Sequence, residues 1–307
     1  MIYSIACYCI PRDSNRFIPL AKACNRRARA TAELSINTLE AVVLLALHSL
    51  FDPQKGNFGQ LIGFAARLSI DLGCHNTNTV GAKARNLYIA IYCMETKFAV
   101  TLDRPSLLPE LVWNGRNSKI LSNVPQAQPI DLTSTIAPEL SCSLYRLQSR
   151  IRGKSSECDQ PTASPRADIT AIETQIEMHG QTIPNLKTTL YETQLLLGPA
   201  SATEAAALLD SYADPQSIHT FLTPQWTYYA GLIILDELHR KPSAPVTLQN
   251  MYGVCLVILD RLSWRWPGAT VLSESLKAYV RAKQGNSKIG GDSPTREGDS
   301  EMSLTPR

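Results

Sequence analysis

The sequence predicts an all-α protein, and two observations support this prediction. Apolar residues recur at intervals of three and four residues through most of the chain, which is the spacing of one helix face. Alternation of apolar and polar residues, which would predict strands, never extends beyond four residues. With 307 residues, of which 44% are hydrophobic and 19% charged, the chain is long enough for a sizeable buried core. We therefore expect a multi-helix, bundle-like domain.

The first predicted helix begins at Asn37 or Thr38, because either side chain suits a helix N-cap. It ends before the turn-forming sequence DPQKGN at residues 52–57. One face of this helix is apolar, so we expect it to pack in the core. The apolar residues are Leu39, Val42, Val43, Ala46, Leu47 and Leu50.

A second helix is predicted from Phe58 to Gly73, a residue that suits the left-handed C-cap of a helix. The third predicted helix runs from Ala84 to Leu102 and is apolar on most of its surface. A helix of that kind belongs in the middle of a bundle. It must end at Pro105, because proline lacks the N–H group that would continue the hydrogen-bond ladder.

The remaining segments complete a helical domain predicted to span residues 37–283. Residues 106–137 lack helical periodicity and predict a long surface connection. Further helices are predicted at 139–151, 168–179, 184–197, 202–212, 224–240, 246–265 and 269–283. The polar linker at 153–166 is a candidate internal boundary. The N-terminal segment 1–36 is left unassigned, and residues 284–307, rich in Gly, Ser, Asp and Pro, are predicted to be disordered.

The charge distribution does not favour direct DNA binding. The net charge is +3, and 30 basic residues are nearly matched by 27 acidic ones. DNA-binding domains instead concentrate Lys and Arg on one face. The dense basic cluster NRRAR contains Arg26, Arg27 and Arg29. A solvated helix face is the preferred interpretation of this cluster, with a nuclear import signal or a phosphate contact as alternatives.

Cysteine spacing and hydropathy argue against a metal site and a membrane segment. The chain has eight cysteines but no C-x-x-C pair, the spacing typical of structural zinc. We therefore expect free thiols, with no metal and no cofactor. The longest apolar run after the N-terminal segment, Ala41–Leu47, is far shorter than the roughly 20 residues that span a bilayer. We expect no membrane association.

Catalytic motifs are absent from the sequence. It contains no G-x-S-x-G, H-E-x-x-H, G-x-x-x-x-G-K-[ST] or helix-opening G-x-G-x-x-G motif. Two carboxylate–imidazole pairs, Asp71 with His75 and Asp236 with His239, could each share one helix face. Helix caps or surface hydrogen bonds explain both pairs more simply. We expect no enzymatic activity and keep an enzyme that uses either pair as the third alternative.

Two stretches of the first half carry a family resemblance. FAARLSIDLGCH at 64–75 is followed, after a polar insert, by ARNLYIAIYCMETKFAVTLDRPSLL at 84–108. Together they resemble the fungal-specific transcription factor domain, the regulatory region that usually lies C-terminal to a binuclear zinc cluster. The resemblance covers about residues 38–108 and continues loosely through the later helices. The matching positions are Ala65, Leu72, Gly73, His75, Arg85, Tyr92, Glu95, Arg104 and Pro105.

The resemblance implies a structural role for these residues. Arg104 is expected to hydrogen-bond the free carbonyls at the end of the third helix, or to pair with Glu95 or Asp71. Asp103 replaces the glycine that the family has in this turn. Aspartate adopts a positive φ less readily than glycine. A turn with the backbone conformation of the family is therefore less favourable here than it would be with glycine.

The resemblance also implies a transcriptional regulator without its own DNA-binding module. A zinc cluster needs six closely spaced cysteines, but the first 36 residues contain only Cys7, Cys9 and Cys24. The chain is therefore expected to act in the nucleus through the transcription machinery or a DNA-binding partner. A homodimer, a small-molecule effector and control of a metabolic or secondary-metabolite gene cluster are further implications. A truncated gene model, a fragment and a regulator that acts through partners remain open alternatives.

The alternative function is a helical module that binds a small molecule and has no role in transcription. Aromatic residues in the second half support it, because such residues line pockets between helices. Helix–helix packing is the simpler explanation of the same side chains. They are Trp226, Tyr228, Tyr229, Trp264 and Trp266.

Overall fold

A computed structural model confirms the all-α prediction. It describes residues 35–76, 81–108, 132–153, 165–179, 184–198, 201–241 and 245–289. Within these ranges the chain forms ten α-helices and no β-strand. The helices are α1 Ile36–Phe51, α2 Phe58–Asp71, α3 Ala82–Thr101, α4 Leu132–Gly153, α5 Pro165–His179, α6 Pro184–Leu196, α7 Ala202–Ala213, α8 Thr223–Arg240, α9 Val246–Ser263 and α10 Gly268–Ile289.

Several predicted boundaries were wrong, including the start of α5, which lies at Pro165 and not at residue 168. Helix α1 begins after Ser35, whose Oγ accepts a hydrogen bond from the backbone N of Thr38 at 3.2 Å, so Asn37 and Thr38 lie in the first turn. Helix α4 begins at Leu132, although the sequence predicted an irregular connection as far as residue 137. Helix α10 continues to Ile289, six residues past its predicted end and into the predicted tail. The predicted disorder from residue 290 onward lies outside the described residues.

The helices pack around three apolar clusters. Helices α1, α2 and α3 share the first cluster, whose fully buried members include Leu39, Ile62 and Ile91. The second lies among α6 to α10, and the third joins α4, α5 and α6. Helix α3 packs against α1, α2 and α4, and its residue Val100 belongs to the second cluster. It therefore occupies the interior position that its apolar surface predicted.

The candidate boundary at 153–166 stays a prediction, because residues 154–164 lie outside the described ranges. Helix α4, which precedes this segment, packs against both α5 and α6, which follow it. The assignments of 1–36 as a separate segment and of 37–283 as one domain also stay predictions.

A prediction for stability concerns Gly73, which forms the left-handed C-cap that the sequence predicted. Its φ is +70°, and the N–H groups of Gly73 and Cys74 donate to the carbonyls of Ile70 and Ser69 at 2.9 and 2.8 Å. These two hydrogen bonds define a Schellman motif. We expect Gly73→Ala to lower the free energy of unfolding by about 1 kcal/mol, because a side chain disfavours this conformation.

The matched control for this prediction is Gly253→Ala. Gly253 lies inside α9, and a Cβ added there would meet no atom within 4 Å. Alanine should therefore raise the stability by roughly 0.5–1 kcal/mol through its helix propensity. Urea denaturation of both variants checks the prediction. If the free energy of unfolding changes in the same direction in both variants, the prediction is contradicted.

Candidate functional site

The residues that carry the family resemblance do not form one cluster. Gly59 at the start of α2 lies beside Phe98 and Arg104, so α2 and α3 run antiparallel. Leu72, Gly73 and His75 therefore lie at the far end of α2, about 20 Å from the turn that follows α3. Two of the other motif residues, Ala65 and Tyr92, are buried in the core. Arg85, in the first turns of α3, is half-buried.

The turn after α3 is attached to the helix by Glu95. This carboxylate is 2% exposed and accepts hydrogen bonds from Ser106 Oγ at 2.6 Å and from the backbone N of Leu107 at 2.7 Å. The next residue, Leu108, is buried in the first apolar cluster. Glu95 therefore positions the chain that follows Pro105, whereas a pair with Arg104 was one of the alternatives that the sequence left open.

The carbonyls of Ala99 and Val100 at the end of α3 accept from the backbone N of Arg104 at 2.9 Å and from that of Asp103 at 3.5 Å. The side chain that also binds them is that of Arg152, whereas the sequence had offered Arg104 as one possible donor. Arg152, near the end of α4, donates hydrogen bonds to the carbonyl of Ala99 at 3.2 Å and to that of Val100. It also pairs with Asp103, whose φ is +53°. A positively charged side chain is favourable at this negative end of the helix dipole. No local signal in the sequence connects Arg152 to a helix end some 50 residues earlier.

Arg104 instead lies at the edge of an open groove. Its guanidinium is stacked over the ring of Phe98, 5.1 Å from the centroid, and its side chain is close to Gly59. The groove, which we call the aromatic groove, has a volume of about 970 Å³. Its lining comprises Leu45, Pro53, Gln54, Gly56, Asn57, Phe58, Gly59, Gln60, Leu61, Phe64, Phe98, Leu102 and Phe221.

Three phenylalanine rings in the lining form a mutually packed group. Phe58 and Phe98 are 4.9 Å apart between centroids, and Phe221 lies 6.0 Å from Phe58 and 6.3 Å from Phe98. All three pairs have the edge-to-face geometry that aromatic quadrupoles favour. The group provides a rigid apolar wall for the groove.

Contacts between distant parts of the chain position the groove. The backbone N of Phe221 donates to the carbonyl of Leu50 at 2.9 Å, which fixes the loop before α8 on the end of α1. Trp226 Nε1 donates to Thr101 Oγ1 at 2.9 Å and joins α8 to the end of α3. Phe58 and Phe98 lie within the helices that the sequence predicted, but Phe221 was left unassigned, because a single aromatic in a loop carries no periodic signal.

The aromatic residues named in the alternative prediction do not line this groove. Trp226 and Trp266 are buried in the second apolar cluster, and Tyr228 packs against it. Tyr229 and Trp264 are 41% and 62% exposed. Packing accounts for the buried members of this group, as the simpler interpretation predicted.

Neither carboxylate–imidazole pair forms an acid–base site in the structure. Asp236 pairs with Arg240, and His239 Nδ1 lies 2.6 Å from the carbonyl oxygen of Leu235. Asp71 and His75 are exposed. Within the described ranges, no three His, Cys, Asp or Glu residues are grouped as metal ligands would be. The absence of enzymatic activity stays a prediction.

A buried ion pair lies between α3 and α6. Lys97 Nζ is 2.9 Å from Glu192 Oε1, and Tyr212 Oη donates to the same oxygen at 2.5 Å. Glu192 is fully buried, while 23% of the Lys97 side chain is exposed. Burial is the largest influence on Lys97 and lowers its pKa, but Glu192 and Tyr145 together outweigh it, so the pKa of the ammonium group is raised. The pair is therefore a charged contact that joins α3 to α6.

A second prediction concerns His219 in the loop before α8. Burial lowers the pKa of His219 to about 4, and the charges of Arg261 and Arg265 contribute to the shift. Because the unfolded histidine has a pKa of about 6.5, the unfolded chain binds a proton that the folded chain excludes. The corresponding stability is complete above about pH 6.5 and is lost as the pH falls toward about 4.

We expect His219 to lower the free energy of unfolding by about 2 kcal/mol between pH 6.5 and pH 4. This is less than the full pKa shift would give, because the side chain is partly exposed. Urea denaturation between pH 7 and pH 4 measures it. In the variant His219→Gln, the free energy of unfolding should depend correspondingly less on pH. An identical pH profile for both proteins would contradict the assignment.

Comparison with known proteins found no match. This holds for family models, for curated proteins and for solved structures. The family resemblance therefore stays a prediction that depends on the matching residues. Among the described helices, none combines the length and the apolar character needed to cross a membrane.

Proposed function

We propose that this chain is a transcriptional regulator of fungal type, whose all-α domain acts in the nucleus without its own zinc cluster. The observation that supports the proposal is the contact between Glu95 and the turn after α3. There the carboxylate of Glu95 accepts hydrogen bonds from Ser106 and Leu107, which follow the motif residue Pro105. Glu95 thus has a structural role, which suits a regulatory domain better than an enzyme.

A domain of this kind would act through its surface and its ligands. Its expected partners are the transcription machinery or a separate DNA-binding protein, and a second copy of the chain is a further expected partner. Control of a metabolic gene cluster is the setting that we propose for it. Neither DNA contact nor chemistry at a catalytic site is required of the described helices.

The test is a reporter assay with the full chain fused to a known DNA-binding domain in a fungal cell. We expect activation or repression that depends on residues 106–283. The DNA-binding domain alone provides the baseline, and the destabilised variant Gly231→Val controls for dependence on the fold. A fusion that is folded and nuclear but has no effect on the reporter would contradict the proposal.

The aromatic groove favours a second candidate function, a helical module that binds a small molecule. Its volume falls at the upper end of the range of about 300–1,000 Å³ that is typical of ligand sites. Its lining combines apolar rings with a few amide side chains, the usual composition of such sites. This function predicts thermal stabilisation of the chain by a ligand, with no effect of the fusion on the reporter.

A further inference from the structure

We propose that the aromatic groove binds a small amphipathic carboxylic acid, with its apolar body against the phenylalanine rings and its carboxylate on Arg104. The inference rests on the second candidate function, because it names the ligand class of that groove. It is independent of any role in transcription, since binding is measured on the purified chain.

The apolar body is indicated by side chains that the fold leaves exposed at the groove. Phe64 is 53% exposed and Leu102 is 42% exposed, and both line the groove beside the packed rings. Single exposed apolar residues are common on protein surfaces, but a concave group of them marks a binding site. A planar or chain-like apolar group would remove this surface from water.

The acid is indicated by the charges around the groove. No charged side chain belongs to the lining, and Arg104 lies at its edge with its guanidinium over Phe98. Among the described residues, no carboxylate pairs with Arg104. Two described acids near it in the chain have other partners: Glu95 binds the turn, and Asp103 pairs with Arg152. Arginine offers parallel N–H donors that match the two oxygens of a carboxylate.

The stacked position of Arg104 strengthens this assignment. The ring of Phe98 limits the movement of the guanidinium, so less side-chain entropy is lost when an anion binds. Gln54 and Gln60 add exposed amide groups to the lining, which can hydrogen-bond polar substituents of the ligand. The groove therefore combines an apolar wall, neutral hydrogen-bonding groups and one cation at its edge.

The experiment compares two probes of equal size, 1-naphthylacetate and its neutral amide, 1-naphthylacetamide. Each is titrated into the purified full chain by isothermal calorimetry. We expect the acid to bind with a dissociation constant on the order of 100 µM and about tenfold more tightly than the amide. Arg104→Gln should weaken acid binding about tenfold and leave amide binding unchanged.

Two further variants locate the site. Phe64→Ser should weaken the binding of both probes, because the exposed ring contributes to the apolar wall. Arg281→Gln, on the exposed surface of α10, is the matched charge control and should change neither affinity. Arg104 and Phe64 are both exposed, so their variants should fold, and circular dichroism verifies this.

Each outcome is decisive. Selective loss of acid binding in Arg104→Gln supports the inference. Equal binding of acid and amide by the unmodified chain overturns the role of Arg104 but leaves the groove as a ligand site. Absence of binding, or binding that survives both groove variants, overturns the inference, while thermal stabilisation by other ligands still tests the second candidate function. The reporter assay still tests the first function independently.

Discussion

Replacement of Lys97 by methionine should lower the free energy of unfolding by about 3–5 kcal/mol. Glu192 is fully buried, and Lys97 is its cationic partner at 2.9 Å. Without Lys97, the carboxylate would keep Tyr212 as a donor on one oxygen, while its other oxygen has no hydrogen-bond partner among the described residues. An uncompensated buried charge is one of the largest single costs that a substitution can impose.

A double-mutant cycle tests this interpretation. Glu192→Gln in the Lys97→Met background removes the buried charge and keeps the shape of the side chain. We expect the double variant to be more stable than Lys97→Met alone, with a coupling energy of at least about 1 kcal/mol. Lys277→Met, which breaks the exposed pair with Glu274, is the matched control and should have little effect. If Lys97→Met behaves like this control in urea denaturation, the pair has no structural role.

Gly231→Val should destabilise the fold by about 3 kcal/mol or more, the second large effect that we expect. A Cβ atom added at Gly231 of α8 would lie 2.7 Å from Cys255 Sγ of α9 and 3.0 Å from Leu276 Cδ1 of α10. Both neighbours are fully buried, so neither can move into solvent. Three helices meet here, and a side chain would separate them.

The control is Gly253→Val, at an open position on the surface of α9, where we expect no loss of stability. Gly231→Ala should show a smaller loss of about 1–3 kcal/mol, partly relieved when Cys255→Ala removes the sulfur atom. Thermal unfolding followed by circular dichroism measures the five variants, which are Gly231→Val, Gly253→Val, Gly231→Ala, Cys255→Ala and the double variant Gly231→Ala/Cys255→Ala. Strictly additive effects of Gly231→Ala and Cys255→Ala would show that the contact does not limit the packing.

The helices were predictable because their determinants are local. The apolar spacing in α2 and α3, the glycine at 73 and the proline at 105 each act within a few residues along the chain. The errors were also local. Ser35 competes with Asn37 and Thr38 for the same cap, and propensity alone ranks these residues closely.

The candidate site was only partly predictable. The resemblance drew attention to Glu95 and Arg104 and left a pair between them as one alternative, whereas Glu95 binds the turn and Arg104 lies at the groove. Arg152, which binds the end of α3, was not predicted at all. Its role depends on the packing of α4 against α3, and the sequence between them contains no regular pattern.

The sequence by itself determined the all-α class, the order of the helices and most of their ends, because backbone hydrogen bonds and apolar spacing operate over one or two turns. Only the tertiary structure decided which side chains meet. Phe221 completes the wall formed by Phe58 and Phe98, and Glu192 neutralises Lys97 from 95 residues away. Such contacts depend on how helices pack against one another, and many packings are compatible with the same local pattern.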